Sequence, residues 1–309
     1  MYLEFFGLRE LPFALPPDTD YLTELAGHRR ALESVVQALE SDDTLVKISG
    51  EVGTGKTLLL RRLQERLSPP WFVVTINNPF LTPDGLLLAV AEELGLPVDA
   101  DNGRHQLLGR IEAQLRGLRQ TGFKVVLLVD EAQTMPEETL EALRLLTNLE
   151  FNSSRLLQIV LCGTPALDAR LQQEPLRPLQ QRISHSATLS ALETNEVAGY
   201  VNQRLARAGF AGHNLFSRPA IEKLYAASGG IPRLINVLAH KAMLVAYGRG
   251  DTRIRPAHIQ RALDDEAVSG REQSTLSSPA GVSWWQLLLA AFAGSAITLV
   301  LVLLAYLLT

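Results

Sequence analysis

Residues 50–57 have the types and spacing of a loop that binds phosphate. The pattern is G-x-x-x-x-G-K-[ST], formed by Gly50, Glu51, Val52, Gly53, Thr54, Gly55, Lys56 and Thr57. Glycines let the backbone wrap a phosphate with its N–H groups pointing inward, and a following helix N-terminus adds a favourable dipole. Lys56 would bring positive charge to the β- and γ-phosphates, and the Thr57 hydroxyl would ligate Mg²⁺. The alternative is a glycine-rich turn with an exposed lysine.

The chain around this loop predicts the strand and the helix that such a loop needs. Residues 45–48 form a short apolar run, typical of a strand, and residues 58–63 open a helical pattern. Leu58 lies in the first turn of that helix, so we include it with the loop among the residues that contact nucleotide. This strand–loop–helix context favours the phosphate-binding interpretation.

Two carboxylates, Asp130 and Glu131, follow an apolar run at residues 125–129 that predicts a central strand. A carboxylate at such a strand end can hold Mg²⁺, directly or through water, so we assign Asp130 to the metal. The neighbouring carboxylate can orient and polarise the water that attacks the γ-phosphate, so we assign Glu131 as the base. An acidic helix cap is the alternative. A glutamate at this position favours hydrolysis over nucleotide binding alone.

A third polar group, Thr164, follows the next predicted strand, residues 156–161. A polar side chain at that strand tip would lie beside the γ-phosphate, which makes Thr164 a candidate sensor. A threonine that forms a turn before Pro165 is the alternative.

Three arginines are candidates for stabilising charge on the nucleotide. Arg182, and second to it Arg177, precede the last predicted strand, from where an arginine can project into a neighbouring subunit's ATP. Arg233 follows Pro232 at a helix start, where a like charge is mildly unfavourable, so we expect a partner such as the nucleotide. Surface arginines are the alternative for all three.

The order of apolar runs predicts how the chain positions these groups. Strands are expected at residues 45–49, 71–76, 125–129, 156–161 and 184–189, with helices between them. This alternation predicts a three-layer αβα fold with a parallel sheet. Helices are expected from residue 193 onward, at 193–206, 219–227, 232–247 and 256–263. The expected divisions are an N-terminal segment (1–40), a phosphate-loop α/β domain (41–191), an all-helical lid domain (192–265), a linker (266–283) and a transmembrane helix (284–308).

Composition excludes several classes of protein. With 47% hydrophobic and 20% charged residues the chain has a globular composition, and its net charge of −4 disfavours a general nucleic-acid-coating protein. Cys162 is the only cysteine, so an internal disulfide and a cysteine-based zinc site are both excluded. The N-terminus lacks the basic start and long apolar core of a signal peptide.

Residues 284–308 are almost wholly apolar and carry no charge. At 1.5 Å per residue such a helix would span about 37 Å, enough to cross a bilayer with some tilt. Basic residues precede this stretch and none follows it, so the positive-inside rule predicts a single-pass protein whose N-terminal body lies in the cytoplasm. A buried core helix is the alternative.

Residues 200–261 contain ten Lys or Arg residues and only Glu222 and Asp251 as acids. This basic excess would suit anionic lipid head groups, a nucleic-acid face, or an acidic subunit or partner. Proximity to the predicted membrane span favours lipid and protein partners.

Taken together, these motifs resemble the ATPase family of general secretion pathway protein A (ExeA type), which is part of the AAA+ superfamily. Within that family they most resemble the members that serve MSHA pilus biogenesis. The resemblance covers residues 1–263 and rests on motifs in one order. They are the opening Met1–Leu8 with Pro12-Phe13, the loop Gly50–Thr57, Asp130–Gln133, Gly163-x-Pro165, Leu179-x-x-Arg182-Ile183, and Gly229–Asn236. Thr164 departs from the family, which often has Gln there.

The resemblance implies a P-loop AAA+ (ASCE) module that forms ring-like homo-oligomers with ATP and Mg²⁺ at subunit interfaces. It implies work at the bacterial inner membrane with pilus or secretion assembly proteins, for a type IV (MSHA-like) pilus or a type II secretion apparatus. ExeA-type proteins carry a periplasmic peptidoglycan-binding domain after the membrane span. Here only Thr309 follows, so we expect a partner to supply that contact. The alternatives are a DNA-handling AAA+ ATPase of the transposition or replication-initiator type and a nucleotide-gated scaffold with little turnover.

Overall fold

The computed structural model describes residues 2–14, 25–97, 103–152, 154–212 and 214–265. Contacts divide the chain into two units, residues 1–260 and 261–309. Of the second unit the structure describes residues 261–265, which are helical. The predicted linker (266–283) and transmembrane helix (284–308) lie outside the described residues. Every helix in the described part of the chain is too short or too polar to cross a lipid bilayer.

A five-stranded parallel sheet forms the centre of the first unit. Its strands are β1 (Leu45–Gly50), β2 (Trp71–Ile76), β3 (Lys124–Val129), β6 (Leu157–Gly163) and β7 (His185–Leu189), in the order β2-β3-β6-β1-β7. The five strands match the five predicted ones to within two residues at each end. A short antiparallel pair, β4 (Glu150–Phe151) and β5 (Ser154–Arg155), was not predicted, because two-residue strands leave no periodic pattern in the sequence.

Helices cover both faces of the sheet. They are α2 (Ala26–Glu40), α3 (Lys56–Arg66), α4 (Pro83–Glu93), α5 (Arg104–Gln120), α6 (Glu137–Leu146), α7 (Pro165–Leu171) and α8 (Arg177–Gln180). Consecutive residues of one strand pack on opposite faces of the sheet: Leu45 belongs to one hydrophobic cluster, and Val46 belongs to the other. Strands buried on both faces read as continuous apolar runs, as the sequence indicated. The mixed α/β fold with a parallel sheet is therefore confirmed.

Three further helices follow the sheet: α9 (Thr194–Arg207), α10 (Arg218–Ser228) and α11 (Pro232–Arg249), and residues 256–260 are also helical. We call residues 194–260 the helical segment. The N-terminal helix α1 (Tyr2–Phe6) packs against α11, where the Tyr2 hydroxyl hydrogen-bonds His240 Nδ1 at 2.8 Å. Buried Arg204 of α9 donates to the carbonyl oxygen of Pro12 at 2.6 Å. The first residues of the chain are therefore packed onto the helical segment.

Candidate nucleotide-binding site

The loop between β1 and α3 has the backbone that its glycines permit. Gly53 and Gly55 have φ angles of +87° and +101°, a region that other residues rarely occupy. The buried Thr54 side chain donates from Oγ1 to the carbonyl oxygen of Glu51 at 2.8 Å, which closes the turn. Val52 is exposed at its tip, and Leu58 is half-buried in the first turn of α3. The predicted strand–loop–helix arrangement is therefore present.

Lys56 lies within this loop and is 5% exposed. Its Nζ donates to the carbonyl oxygens of Gly50 at 3.0 Å and Glu51 at 3.1 Å. A buried ammonium group needs such acceptors, because removing a charge from water without them is costly. The positive charge is thus held at the inner side of the loop, at the N-terminus of α3, where phosphate oxygens would also be favoured.

Thr57 and Asp130 meet across the sheet edge. Thr57 Oγ1 donates to Asp130 Oδ2 at 2.6 Å, although β1 and β3 are separated by β6 in the sheet. A hydroxyl and a carboxylate oxygen are ligands that Mg²⁺ accepts, and Mg²⁺ usually completes its shell with substrate phosphates and water. The described residues hold no group of three or more His, Cys, Asp or Glu side chains that could bind a metal by themselves. These two side chains fit a metal that arrives with a triphosphate.

Glu131 follows Asp130 at the end of β3 and has a φ of +50°, an uncommon backbone for a residue with a side chain. Its N–H donates to Asp130 Oδ1 at 2.8 Å, and its carbonyl oxygen accepts from Thr134 Oγ1 at 2.9 Å. The side chain is exposed, and Glu131 Oε2 accepts a hydrogen bond from the amide of Gln133. The carboxylate is thus accessible to a water molecule and held at one oxygen.

Thr164 lies where the sequence placed it, at the tip of β6 and directly before α7. Because β6 runs between β1 and β3, this tip is beside both the loop and the carboxylates. The Thr164 backbone N–H donates to Gln133 Oε1 at 3.1 Å. Its side chain makes no capping bond to α7. The structure therefore brings the Thr164 peptide into the site through Gln133.

Arg177 and Arg182 differ in their surroundings. Arg182 is half-buried, and its Nη1 donates to Thr147 Oγ1 at 2.5 Å and to the carbonyl oxygen of Arg144 at 3.3 Å, at the C-terminal end of α6. Arg177 is exposed on α8 and pairs with exposed Glu174 at 2.6 Å. Within this chain Arg182 is held by its own α6, and Arg177 is the more accessible of the two.

Arg233, at the start of α11, lies beside the loop. Its backbone N–H donates to the carbonyl oxygen of Gly53 at 3.2 Å. A Cβ at Gly53 would lie 2.9 Å from Arg233 Cβ and 3.0 Å from Ile231 Cγ2, so this contact requires glycine. The exposed Arg233 side chain therefore starts next to the loop, as predicted, and its role toward nucleotide stays a prediction.

Sequence reasoning missed His28, in the first turn of α2. This residue is 3% exposed, and its Nε2 lies 2.7 Å from the carbonyl oxygen of Thr54 in the loop. Burial lowers the pKa of His28, an effect that the hydrogen bond to Thr54 and the negative charge of Glu196 partly offset. A lone histidine at a helix start carries no sequence signal for such a contact.

Burial also raises the pKa of the Cys162 thiol on β6 well above its usual value, and the nearby Asp130 carboxylate acts in the same direction. The only cysteine of the chain is therefore a neutral core residue behind the site.

Several solved structures have this fold. The similar structures include Drosophila ORC bound to DNA, with a TM-score of 0.64 at 20% identity over 90% of this chain and 69% of that one. They also include Cdc6p from Pyrobaculum aerophilum, with a TM-score of 0.62 at 18% identity over 82% and 70% of the two chains. The ORC2 protein of Aeropyrum pernix, in ADPNP–ADP complexes, has a TM-score of 0.59 at 17% identity over 82% and 71%. At these identities the likeness concerns the fold alone.

Sequence comparison is more specific. A family model for an AAA domain (AAA_22) matches residues 39–171, which include the loop and both carboxylates. General secretion pathway protein A of Aeromonas hydrophila is 40% identical over 296 residues, covering 96% of this chain and 52% of that protein. This chain thus spans about half the length of the curated relative that it matches. Because the identity extends through nearly the whole chain and includes the matched domain, this chain contains an AAA domain and is similar to general secretion pathway protein A over nearly all of its own length.

Proposed function

We propose that this protein hydrolyses ATP·Mg²⁺ and uses the energy to support assembly of a type II secretion apparatus or a type IV (MSHA-like) pilus. The observation that carries hydrolysis is the 2.6 Å contact between Thr57 and Asp130, with Lys56 in the loop on one side and Glu131 on the other. One sheet edge therefore gathers groups for phosphate, metal and water.

In this proposal the loop binds the triphosphate. Residues 50–58 supply backbone N–H groups and the positive end of α3, and Lys56 turns its ammonium from the loop carbonyls to the β- and γ-phosphates. Thr57 and Asp130 would hold the metal. Bound there, Mg²⁺ would neutralise charge that develops on the phosphate oxygens.

Glu131 then acts as the general base. Its carboxylate orients a water molecule toward the γ-phosphorus and accepts the water proton as the phosphorus–oxygen bond to ADP breaks. Arg182 or Arg177 of a neighbouring subunit would stabilise the charge of the transition state, and Arg233 and Thr164 would contact the γ-phosphate within the subunit. These assignments imply a ring-like homo-oligomer with ATP between subunits.

The cellular role is supported by the relative's name, general secretion pathway protein A, and by the uncharged apolar stretch at residues 284–308. We propose that this stretch anchors the protein in the bacterial inner membrane with the ATPase body in the cytoplasm. The basic excess in residues 200–261 would then lie near anionic lipid and near assembly proteins in the membrane.

Two substitutions test the ATPase proposal. Lys56→Ala is expected to lose nucleotide binding, because the loop loses its phosphate charge. Glu131→Gln is expected to bind ATP normally and to lose turnover by about 10²–10⁴-fold, because the base is gone. Fluorescent-nucleotide titration and steady-state phosphate release measure the two effects. Lys223→Ala and Glu137→Gln, the same changes outside the site, serve as controls. Normal turnover by Glu131→Gln would contradict the base assignment.

Removal of residues 284–308 tests the anchor. The full chain is expected to sediment with membranes and to resist extraction by high salt, whereas the shortened chain is expected in the soluble fraction. Immunoblotting of the two fractions measures the distribution. A full chain that stays soluble would exclude the anchor and leave the ATPase proposal intact.

A DNA-handling ATPase is the second candidate, and the basic excess of residues 200–261 is the observation that favours it. Binding of the shortened chain to duplex DNA at increasing salt tests it, because phosphate contacts give a steep salt dependence. A nucleotide-gated scaffold is the third candidate, and it predicts phosphate release no faster from the wild type than from Glu131→Gln.

A further inference from the structure

One side chain, Gln133, joins the tips of two strands in the site. It lies in the short 3₁₀ turn after β3 (Ala132–Thr134). Its amide nitrogen donates to Glu131 Oε2, and its amide oxygen accepts the backbone N–H of Thr164 at 3.1 Å. Glu131 follows β3 and Thr164 follows β6, so both ends of the amide are used to connect the loops after two neighbouring strands.

The bridge requires a glycine at position 163. A Cβ at Gly163 would lie 2.9 Å from Gln133 Oε1 and 3.1 Å from Leu167 Cδ2, so any other residue would push the amide away from Thr164. Arg170 of α7 fixes the bridge from the other side, since its Nη1 donates to the backbone carbonyl oxygen of Gln133 at 2.5 Å. Backbone and amide of Gln133 are thus both held.

Glu131 depends on such a partner. The residue is exposed, so its carboxylate would otherwise rotate freely in water. Among the described residues, the side-chain hydrogen bond to this carboxylate comes from Gln133. An amide N–H can donate but cannot accept a proton at this position. It therefore fixes Oε2 while Oε1 stays available to take a proton from water.

We propose that Gln133 is a positioning residue for hydrolysis, which holds the Glu131 carboxylate and ties it to the Thr164 turn at the tip of β6. This inference rests on the proposed ATPase function and on the assignment of Glu131 as base. Because Gln133 connects the two, a γ-phosphate that moves the Thr164 turn would also move the Glu131 carboxylate. The carboxylate would thus be aligned with the attacking water only when ATP is bound.

Three variants break the bridge in different ways. Gln133→Met removes both hydrogen bonds at similar length. Gln133→Glu keeps an acceptor for the Thr164 N–H and replaces the donor to Glu131 with a like charge. Gly163→Ala leaves Gln133 in place and displaces its amide. Gln64→Met, on the exposed face of α3, is the matched control.

Each bridge variant is expected to lower kcat by about 10–100-fold, because misplacing a reacting group by about 1 Å costs that much. ATP affinity and KM are expected to stay close to the wild-type values, as they should for Gln64→Met. The melting temperature is expected to stay close to the wild-type value for the two Gln133 variants, whereas Gly163→Ala also crowds Leu167 and is expected to lower it. Loss of ATP affinity together with kcat, or a normal kcat in Gln133→Met, would overturn the inference.

A double-mutant cycle separates this role from a purely structural one. If Gln133 acts through Glu131, then Gln133→Met has no further effect on single-turnover rates in the Glu131→Gln protein. Additive losses would overturn the inference. Wild-type protein without ATP turnover would overturn the proposed function and this inference with it, whereas normal wild-type turnover with unaffected variants would overturn this inference alone.

Discussion

At the scale of single residues, His28 shows how the phosphate loop is supported from outside its own motif. Its imidazole is buried, Nε2 contacts the Thr54 carbonyl oxygen, and Nδ1 has no hydrogen-bond partner among the described residues. The contact at Nε2 requires the N–H there, so the neutral ring leaves Nδ1 as a bare acceptor. Protonation would place a charge and an unsatisfied N–H in the core, which agrees with the lowered pKa of His28.

The lowered pKa of His28 predicts a pH dependence of stability. Because the folded-state pKa lies below the value of 6.5 in the unfolded chain, the neutral ring stabilises the fold above pH 6.5, and this contribution is lost as pH falls toward the folded-state pKa. The loss is at most about 1.4 kcal/mol per pH unit. His28→Gln, which keeps an N–H donor for Thr54, should therefore show a smaller decrease in melting temperature between about pH 7.5 and 5.5. Equal decreases in both proteins would contradict this account.

At the scale of elements, the sheet order is what creates the site. Parallel strands end at the same edge, and the order β3-β6-β1 puts the carboxylates, the Thr164 turn and the phosphate loop side by side. The helical segment then reaches the same edge through its backbone. Arg233 N–H donates to Gly53, and the Gly230 carbonyl oxygen accepts the Leu192 N–H at 2.9 Å. The start of α11 is thus hydrogen-bonded to the phosphate loop and to the residues that follow β7.

The close packing at Gly230 predicts unequal effects of two neighbouring substitutions. Both Gly229 and Gly230 have positive φ, of +57° and +74°. A Cβ at Gly230 would lie 2.0 Å from the Leu192 carbonyl oxygen, whereas one at Gly229 would meet nothing within 4 Å. Gly229→Ala is therefore expected to cost about 1 kcal/mol of unfolding free energy, and Gly230→Ala about 3 kcal/mol or more. Urea denaturation measures both, and equal costs would show that the Gly230 contact is absent.

At the scale of the whole molecule, the N-terminal residues belong with the helical segment. Tyr2 contacts His240, and Phe13 packs against Phe216 with ring centroids 6.0 Å apart. Burial raises the pKa of the Tyr2 hydroxyl to about 12, so this contact stays neutral at ordinary pH. The N-terminal residues thus pack on the helical segment, and the chain then continues into α2, which lies against the sheet. The helical segment is therefore connected to the α/β part of the first unit in two places, through the N-terminal residues and through the phosphate loop.

Subunit mixing tests whether the active site is shared between copies of the chain. Arg177→Ala and Arg182→Ala are each compared, alone and mixed with Glu131→Gln protein. The variant that lacks the arginine supplied to a neighbour is expected to lose about 10³-fold or more of its turnover and to regain part of it in the mixture. Recovery arises because its intact Glu131 then meets an arginine from the other subunit.

The outcome for Arg182 depends on its contacts within α6. Because its guanidinium is bound by Thr147 and the Arg144 carbonyl oxygen, its loss is also expected to lower the melting temperature, whereas loss of exposed Arg177 should not. Thr147→Val, which removes one of these contacts, is the control for a structural effect. Failure of both arginine variants to recover in mixtures would argue against an arginine shared between subunits.

The sequence by itself determined the features that depend on local pattern. Nearly continuous apolar runs predicted the central strands β3 and β6, because a strand buried on both faces has no polar side. Glycines at Gly53 and Gly55 predicted the loop, because its backbone needs positive φ at both positions. Asp130 and Glu131 were predicted as a pair because they follow a buried strand. Each of these signals lies within a few adjacent residues.

Only the tertiary structure decided the contacts between distant parts of the chain. The amide of Gln133 reaches Thr164, the His28 ring reaches Thr54, and Arg182 is bound by the end of α6. No local pattern encodes these contacts, because each depends on which strands are neighbours and on how a helix is placed against them. The physical reason is that periodicity reports which face of an element is buried, whereas the partner of a polar side chain is set by the packing of the whole sheet and its helices.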